Sequence, residues 1–125
     1  MKKVRISSNE KHAVGEFVQF LLVSYPNKVK SISLFGSKAR GDSHPGSDID
    51  VMVILDQDDH KLKRVIQRQA ARISLEYDVL LNPRIIGEAR WKQMRGFTLY
   101  QNVIQDAAGL SMQEGELSFE QPVSL

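Results

Sequence analysis

The 125-residue chain contains no cysteine. That excludes disulfide scaffolds, thiolate zinc sites, Cys-x-x-Cys redox chemistry and cysteine nucleophiles. It also lacks a long apolar run. The longest stretch, Ala13 to Val23, is broken by Gly15, Glu16 and Gln19, whereas a membrane-spanning helix needs about 20 apolar residues. Lys2, Lys3 and Arg5 give the start of the chain positive charge, but no uninterrupted apolar segment or small-residue cleavage site follows, so a secretory signal is not expected. There is no Asn-x-Ser/Thr acceptor. A cytoplasmic protein is the expectation. His12, His44 and His60 are scattered without zinc-ligand spacing. Gly36 and Gly41 are not followed by Gly-Lys-Ser/Thr, so this is not a P-loop. Basic residues are missing from one region: residues 96–125 have no Lys or Arg and four acids, Asp106, Glu114, Glu116 and Glu120.

What remains is an ordinary globular composition, with 42% hydrophobic and 26% charged residues, enough for one domain with a modest core. The net charge of +2 is an average. Residues 1–95 hold all 17 basic residues against 11 acids, a balance of +6, and the remainder carries −4. A basic body suits an anionic ligand, and the acidic end suits a different task.

The pattern predicts alternating helices and strands on a small sheet. Ser7-Ser8-Asn9-Glu10 reads as a helix start, and Val14, Phe17, Val18, Leu21 and Leu22 follow the spacing of one buried helical face. Val29 to Phe35 alternates as a strand and stops at Gly36. Asp48 to Leu55 is a second strand. Asp58 and Asp59 open a helix whose apolar face is Leu62, Val65, Ile66, Ala70 and Ile73. Its other face carries Arg64, Arg68 and Arg72, a solvated face or a surface for a partner or RNA. Tyr77 to Leu81 is expected as a short third strand stopped by Asn82-Pro83. A short helix over Glu88 to Met94 and another over Thr98 to Ala108, capped by Gly109, follow. The last dozen residues show no period. Residues 1–112 are expected as the domain and 113–125 as an acidic tail.

The chemistry is concentrated in Gly36-Ser37-Lys38-Ala39-Arg40-Gly41 and Ser47-Asp48-Ile49-Asp50. A glycine leaving a strand permits a tight turn and close ligand approach. Ser37 and the free N–H groups of the turn can hold phosphate oxygens. Asp48 and Asp50, two apart on a strand, share a face, with Ile49 and Val51 turned to the core. Paired carboxylates repel unless a cation lies between them, and oxygen donors favour Mg²⁺ or Mn²⁺ over zinc. The helix after the second strand, about 17 residues long, returns the chain by about 25 Å. Asp78 is therefore expected at the same sheet edge, with Glu76 as a nearby alternative. Three carboxylates facing a phosphate cradle form the layout of a two-metal site.

Gly36-Ser37-x-Ala39-Arg40-Gly41, five residues, then Ser47-Asp48-x-Asp50 resembles the signature of the DNA polymerase β-type nucleotidyltransferase superfamily, in particular its minimal nucleotidyltransferase (MNT) branch. The resemblance runs from about Val29 to Leu81, and more weakly from Thr98 to Met112. It implies an α/β (α+β) fold, a small mixed sheet flanked by helices. It implies that Asp48 and Asp50 bind two divalent ions, Mg²⁺ or Mn²⁺, and that Asp78 completes one metal site and helps deprotonate the attacking hydroxyl. Gly36 and Ser37 would hold the triphosphate, and Arg40 would contact the nucleotide or stabilise the loop. The implied reaction moves a nucleoside monophosphate, AMP from ATP, to a hydroxyl with release of pyrophosphate. Many MNT proteins pair with a HEPN-domain toxin and add AMP to a tyrosine of it, so the expected role is an antitoxin, as part of a hetero-oligomer or as a homo-oligomer. Alternatives are an antitoxin acting by occlusion alone and a transferase for a small molecule or RNA. The 44 residues after Leu81 leave little room for an acceptor domain, which weighs against the last.

Overall fold

A computed structural model describes residues 4–120. Helix α1 (Ser8–Ser24) is followed by β1 (Val29–Phe35), the helical turn α2 (Gly36–Arg40) and β2 (Ile49–Leu55). Then come α3 (His60–Tyr77), β3 (Leu81–Gly87), α4 (Glu88–Gln93), α5 (Thr98–Asp106), β4 (Ala108–Gln113) and β5 (Glu116–Glu120). The five strands form one sheet in the order β3-β2-β1-β4-β5. Only the β2–β3 pair is parallel, because α3 carries the chain back along the sheet before β3 begins. The expected small mixed sheet flanked by helices is what forms. Among the described residues no helix is long and apolar enough to cross a membrane.

Local chemistry sets the main boundaries. Ser7 Oγ accepts from the Glu10 amide while Glu10 Oε1 accepts from the Ser7 amide, a reciprocal cap that starts α1. Asp59 caps α3 by accepting from Leu62 N–H at 3.0 Å. Strand β2 then divides its side chains by parity. Ile49, Val51, Val53 and Leu55 join α1 and α3 in the larger core. Met52 and Ile54 pack on the opposite face with Phe35, Trp91 and Val103. Asp50 shares the parity of that second face, at the end of the sheet where apolar cover stops.

Three boundaries differ from the sequence expectation. Tyr77 is still helical, and β3 runs from Leu81 to Gly87 through Asn82 and Pro83. A proline inside a strand normally argues against pairing, but β3 is an edge strand and can face its missing donor away from the ladder. Helix α5 stops at Asp106, and Gly109 lies inside β4, paired with Ser33. Residues 116–120 of the expected tail form β5, joined to β4 through Glu114 and Gly115, both at positive φ; two such residues in a row fit a tight hairpin turn. Residues 121–125 of that tail lie outside the described residues.

Candidate active site

The site forms at the sheet edge where β1 ends and β2 and β3 begin. Gly36 leaves β1 at φ 74°, in the left-handed region, and its Cα presses on Asp50. A Cβ there would collide with Asp50 Oδ2 and lie 3.2 Å from Asp50 Cγ. The next residues close the turn α2, which ends at Gly41 (φ 85°), whose N–H donates to Ser37 O at 2.9 Å. The loop to β2 then makes a second tight turn. Gly46 sits at φ 83° after Pro45, and Ser47 N–H donates to His44 O at 3.0 Å, the pattern of a type II turn. Ser47 Oγ also bonds both the amide and the carbonyl of His44. This fixes the residue before Asp48, so both carboxylates emerge at the start of β2.

Asp48 is exposed and Asp50 is half-buried. Burial pushes the Asp50 carboxyl above the ordinary aspartate range, and repulsion from Asp48 adds to it. A hydrogen bond from Asn82 and the charges of Arg84 and Arg40 act in the opposite direction. Asn82 Nδ2 donates to Asp50 Oδ1 at 3.0 Å, because the parallel register sets Asn82 against Asp50 and Arg84 against Met52.

Of the residues expected from the sequence, Gly36, Ser37, Asp48 and Asp50 meet at this edge. Asp78 does not stand on a strand beside them. It is the C-cap of α3, at φ 53°, a left-handed position that Asp adopts more readily than most residues. It lines a cleft of about 830 Å³ with His44, Ser47, Val79 and Leu80. Among the described residues no three His, Cys, Asp or Glu side chains gather closely enough to hold a metal ion. Arg40 turns sideways: Nη1 is 3.1 Å from Asp106 Oδ2 and Nε is 3.2 Å from Asp42 Oδ2. These two carboxylates raise the Arg40 pKa above its ordinary value.

Two site features escaped the sequence reading. Asn82 looked like a strand stop, and a run of seven residues ending in Ile85, Ile86 and Gly87 was the available sign that the strand continued. Lys38, inside the motif, is buried and pairs with Glu10 at 2.7 Å. The contact ties α2 to the first turn of α1, and only the fold brings these residues together.

The donor set fits a hard divalent cation. Asp48 and Asp50 supply oxygen ligands only, and their mutual repulsion and the burial of Asp50 disfavour two bare charges. Gly36, which opens the α2 turn, stands directly against Asp50. An oxygen-rich anion in that turn would lie next to Asp50, and a divalent cation held by Asp48 and Asp50 would offset the repulsion between them.

A family model described as "Nucleotidyltransferase domain" matches residues 14–100. Two proteins of Methanocaldococcus jannaschii, each named "Putative protein adenylyltransferase", are similar to the chain. One is 34% identical over 98 residues, covering 78% of this chain and 94% of the relative. The other is 37% identical over 73 residues, covering 58% and 74%. The fold is also that of a chain in a crystal structure of a toxin–antitoxin with AMP-PNP, at TM-score 0.52 and 23% identity over 80% of this chain and 74% of that one. The span of the family match, and a relative covered almost end to end, decide the assignment: this chain belongs to the nucleotidyltransferase domain family.

Proposed function

We propose that the chain transfers AMP from ATP to a hydroxyl of a partner protein, and that this partner is a HEPN-domain toxin which the chain neutralises as its antitoxin. The observation that carries this reading is the contact between Gly36 and Asp50. It leaves no room for a side chain between the phosphate-type turn and the carboxylate pair, so a triphosphate in the turn presents its α-phosphate to the carboxylates. The relatives named for protein adenylylation support a protein acceptor. The shared fold with a toxin–antitoxin chain is consistent with the antitoxin role.

In this reading Asp48 and Asp50 would hold the divalent cation, which would supply charge neutralisation for the α-phosphate and the departing pyrophosphate. Ser37 and the backbone N–H groups of the Gly36 turn bind and orient the triphosphate. The acceptor oxygen forms a bond to the α-phosphorus, the bond from that phosphorus to the β-bridging oxygen breaks, and pyrophosphate leaves. The acceptor proton passes to solvent or to a base at the cleft, where Asp78 is a carboxylate at hand and Glu10 is paired with Lys38. Arg40 acts by bracing the α2 turn against α5. The exposed acids Glu114, Glu116 and Glu120 on the β4–β5 hairpin form a surface for a basic partner.

The test is incubation of the chain with ATP and Mg²⁺ together with a HEPN protein encoded beside it. A mass increase of one AMP on the partner, abolished by Asp48→Asn with Asp50→Asn, is the expected result. A second reading, neutralisation by occlusion alone, draws on the lack, among the described residues, of a third carboxylate grouped with Asp48 and Asp50. It predicts that the double variant protects cells from the toxin as well as the unaltered chain does.

A further inference from the structure

We propose that Asn82 is the positioning residue for Asp50 and that it takes the place a third carboxylate would occupy, so that the site holds one divalent cation per chain rather than two. The inference rests on the reading of Asp48 and Asp50 as cation ligands.

Register is the first ground. In the parallel β2–β3 pair, Asn82 stands directly against Asp50, and its amide donates to Asp50 Oδ1 at 3.0 Å. No other residue of β3 is set against Asp50. Asp78, the acid expected in this role, precedes β3 and belongs to the α3 cap. Three residues, Val79, Leu80 and Leu81, separate it from Asn82, and Ile49 N–H already pairs with Leu80 O across the start of the ladder. The second ground is charge. An amide contributes no negative charge, and Arg84, two residues farther on the same side of β3, adds a positive one that acts on Asp50. Two carboxylates balance one divalent ion. A second ion beside Asn82 would meet an amide hydrogen already committed to Asp50 and an arginine nearby. The third ground is orientation. With Oδ1 fixed by Asn82, Asp50 Oδ2 remains on the Gly36 side, where the phosphate turn lies. Outer partners of metal-binding carboxylates typically account for about 10- to 100-fold in metal affinity.

The experiment is Mn²⁺ titration of the purified chain, read from the loss of the free-ion electron paramagnetic resonance signal. The unaltered chain is expected to bind one Mn²⁺. Asn82→Asp is expected to bind two, and to gain more thermal stability from Mn²⁺ than the unaltered chain does, because the new carboxylate supplies a further oxygen ligand and repels Asp50 across the register. Asn82→Leu, of similar volume, is expected to keep one ion at about 10- to 100-fold lower affinity. Circular dichroism of each variant checks folding, and Asp48→Asn with Asp50→Asn serves as the blank. Two ions on the unaltered chain, one ion on a folded Asn82→Asp chain, or unchanged affinity in Asn82→Leu overturns the inference while leaving the nucleotidyl-transfer reading intact. Mn²⁺ uptake equal in the blank overturns the cation assignment of Asp48 and Asp50, and the inference with it.

Discussion

Arg40 Nη1 lies 3.1 Å from Asp106 Oδ2, joining the motif turn α2 to the last residue of α5. The arginine also reaches Asp42, so its guanidinium is held by its own loop and by a helix 66 residues away. Its side chain is 45% exposed, and the Asp106 side chain is 16% exposed. Partly exposed pairs contribute about 0.2–1 kcal/mol. Arg40→Gln and Asp106→Asn are therefore expected to lower stability by similar small amounts, with an effect in the double variant below the sum of the two. Nucleotide KM should move equally in both. A rise in KM confined to Arg40→Gln would mean that Arg40 contacts the triphosphate instead.

Gly36 has no room for a side chain. Gly36→Ala adds a Cβ at φ 74° against Asp50. The left-handed conformation alone costs about 1–2 kcal/mol for an L-residue, and the carboxylate must also move. The expected outcome is a modest fall in denaturation midpoint with a much larger fall in transfer rate. Equal, small losses in both would show that the Asp50 position does not matter.

A similar contact stands away from the site. Gly87 N–H donates to Asp58 Oδ1 at 2.8 Å, and a Cβ there would come within 2.5 Å of Asp58 N. Gly87→Ala must push the end of β3 away from the loop that starts α3. Overpacking of this kind costs about 1–3 kcal/mol, and urea unfolding of the variant measures it.

These glycines show what was legible. Gly36, Ser37, Asp48 and Asp50 could be placed together because local rules govern them: a glycine ends a strand, and alternate residues share a face. The helices α1 and α3 were legible from their caps and apolar faces. Asn82 and Lys38 were not, because their roles depend on register and packing between segments distant in sequence. Asn82-Pro83 has the chemistry of a stop, and only the edge position of β3 lets it remain a strand. Asp78 failed as a strand residue for a related reason: α3 continues through Tyr77, and Asp78 takes the left-handed cap. The hairpin of β4 and β5 was missed because its strands are short and half-exposed, with little alternation to read.

The Lys38–Glu10 pair gives a pH prediction. The Lys38 side chain is only 4% exposed. Burial acts to raise the Glu10 pKa, but the bonds from Lys38 and Ser7 outweigh it and leave the group lower than usual. A carboxylate with a depressed folded pKa stabilises the fold above its unfolded pKa, here near 4.5, and that contribution is lost as pH falls through the folded value. Acid unfolding of Glu10→Gln should therefore be less steep below about pH 4.5. At neutral pH the variant strands a buried lysine, a change that costs about 3–5 kcal/mol in buried pairs. Glu10→Gln with Lys38→Met should recover part of the loss. No recovery would mean that the capping contact with Ser7, rather than the ion pair, carries the effect.

The most direct test follows the label from ATP. The chain, Mg²⁺ and the proposed HEPN-domain partner are incubated in parallel with ATP labelled at the α-phosphate or at the γ-phosphate. Nucleotidyl transfer at Asp48 and Asp50 predicts protein-bound label from α-labelled ATP only, with the γ-label released in pyrophosphate and no labelling by Asp48→Asn with Asp50→Asn. Incorporation of the γ-label, or α-labelling that persists in the double variant, would contradict it.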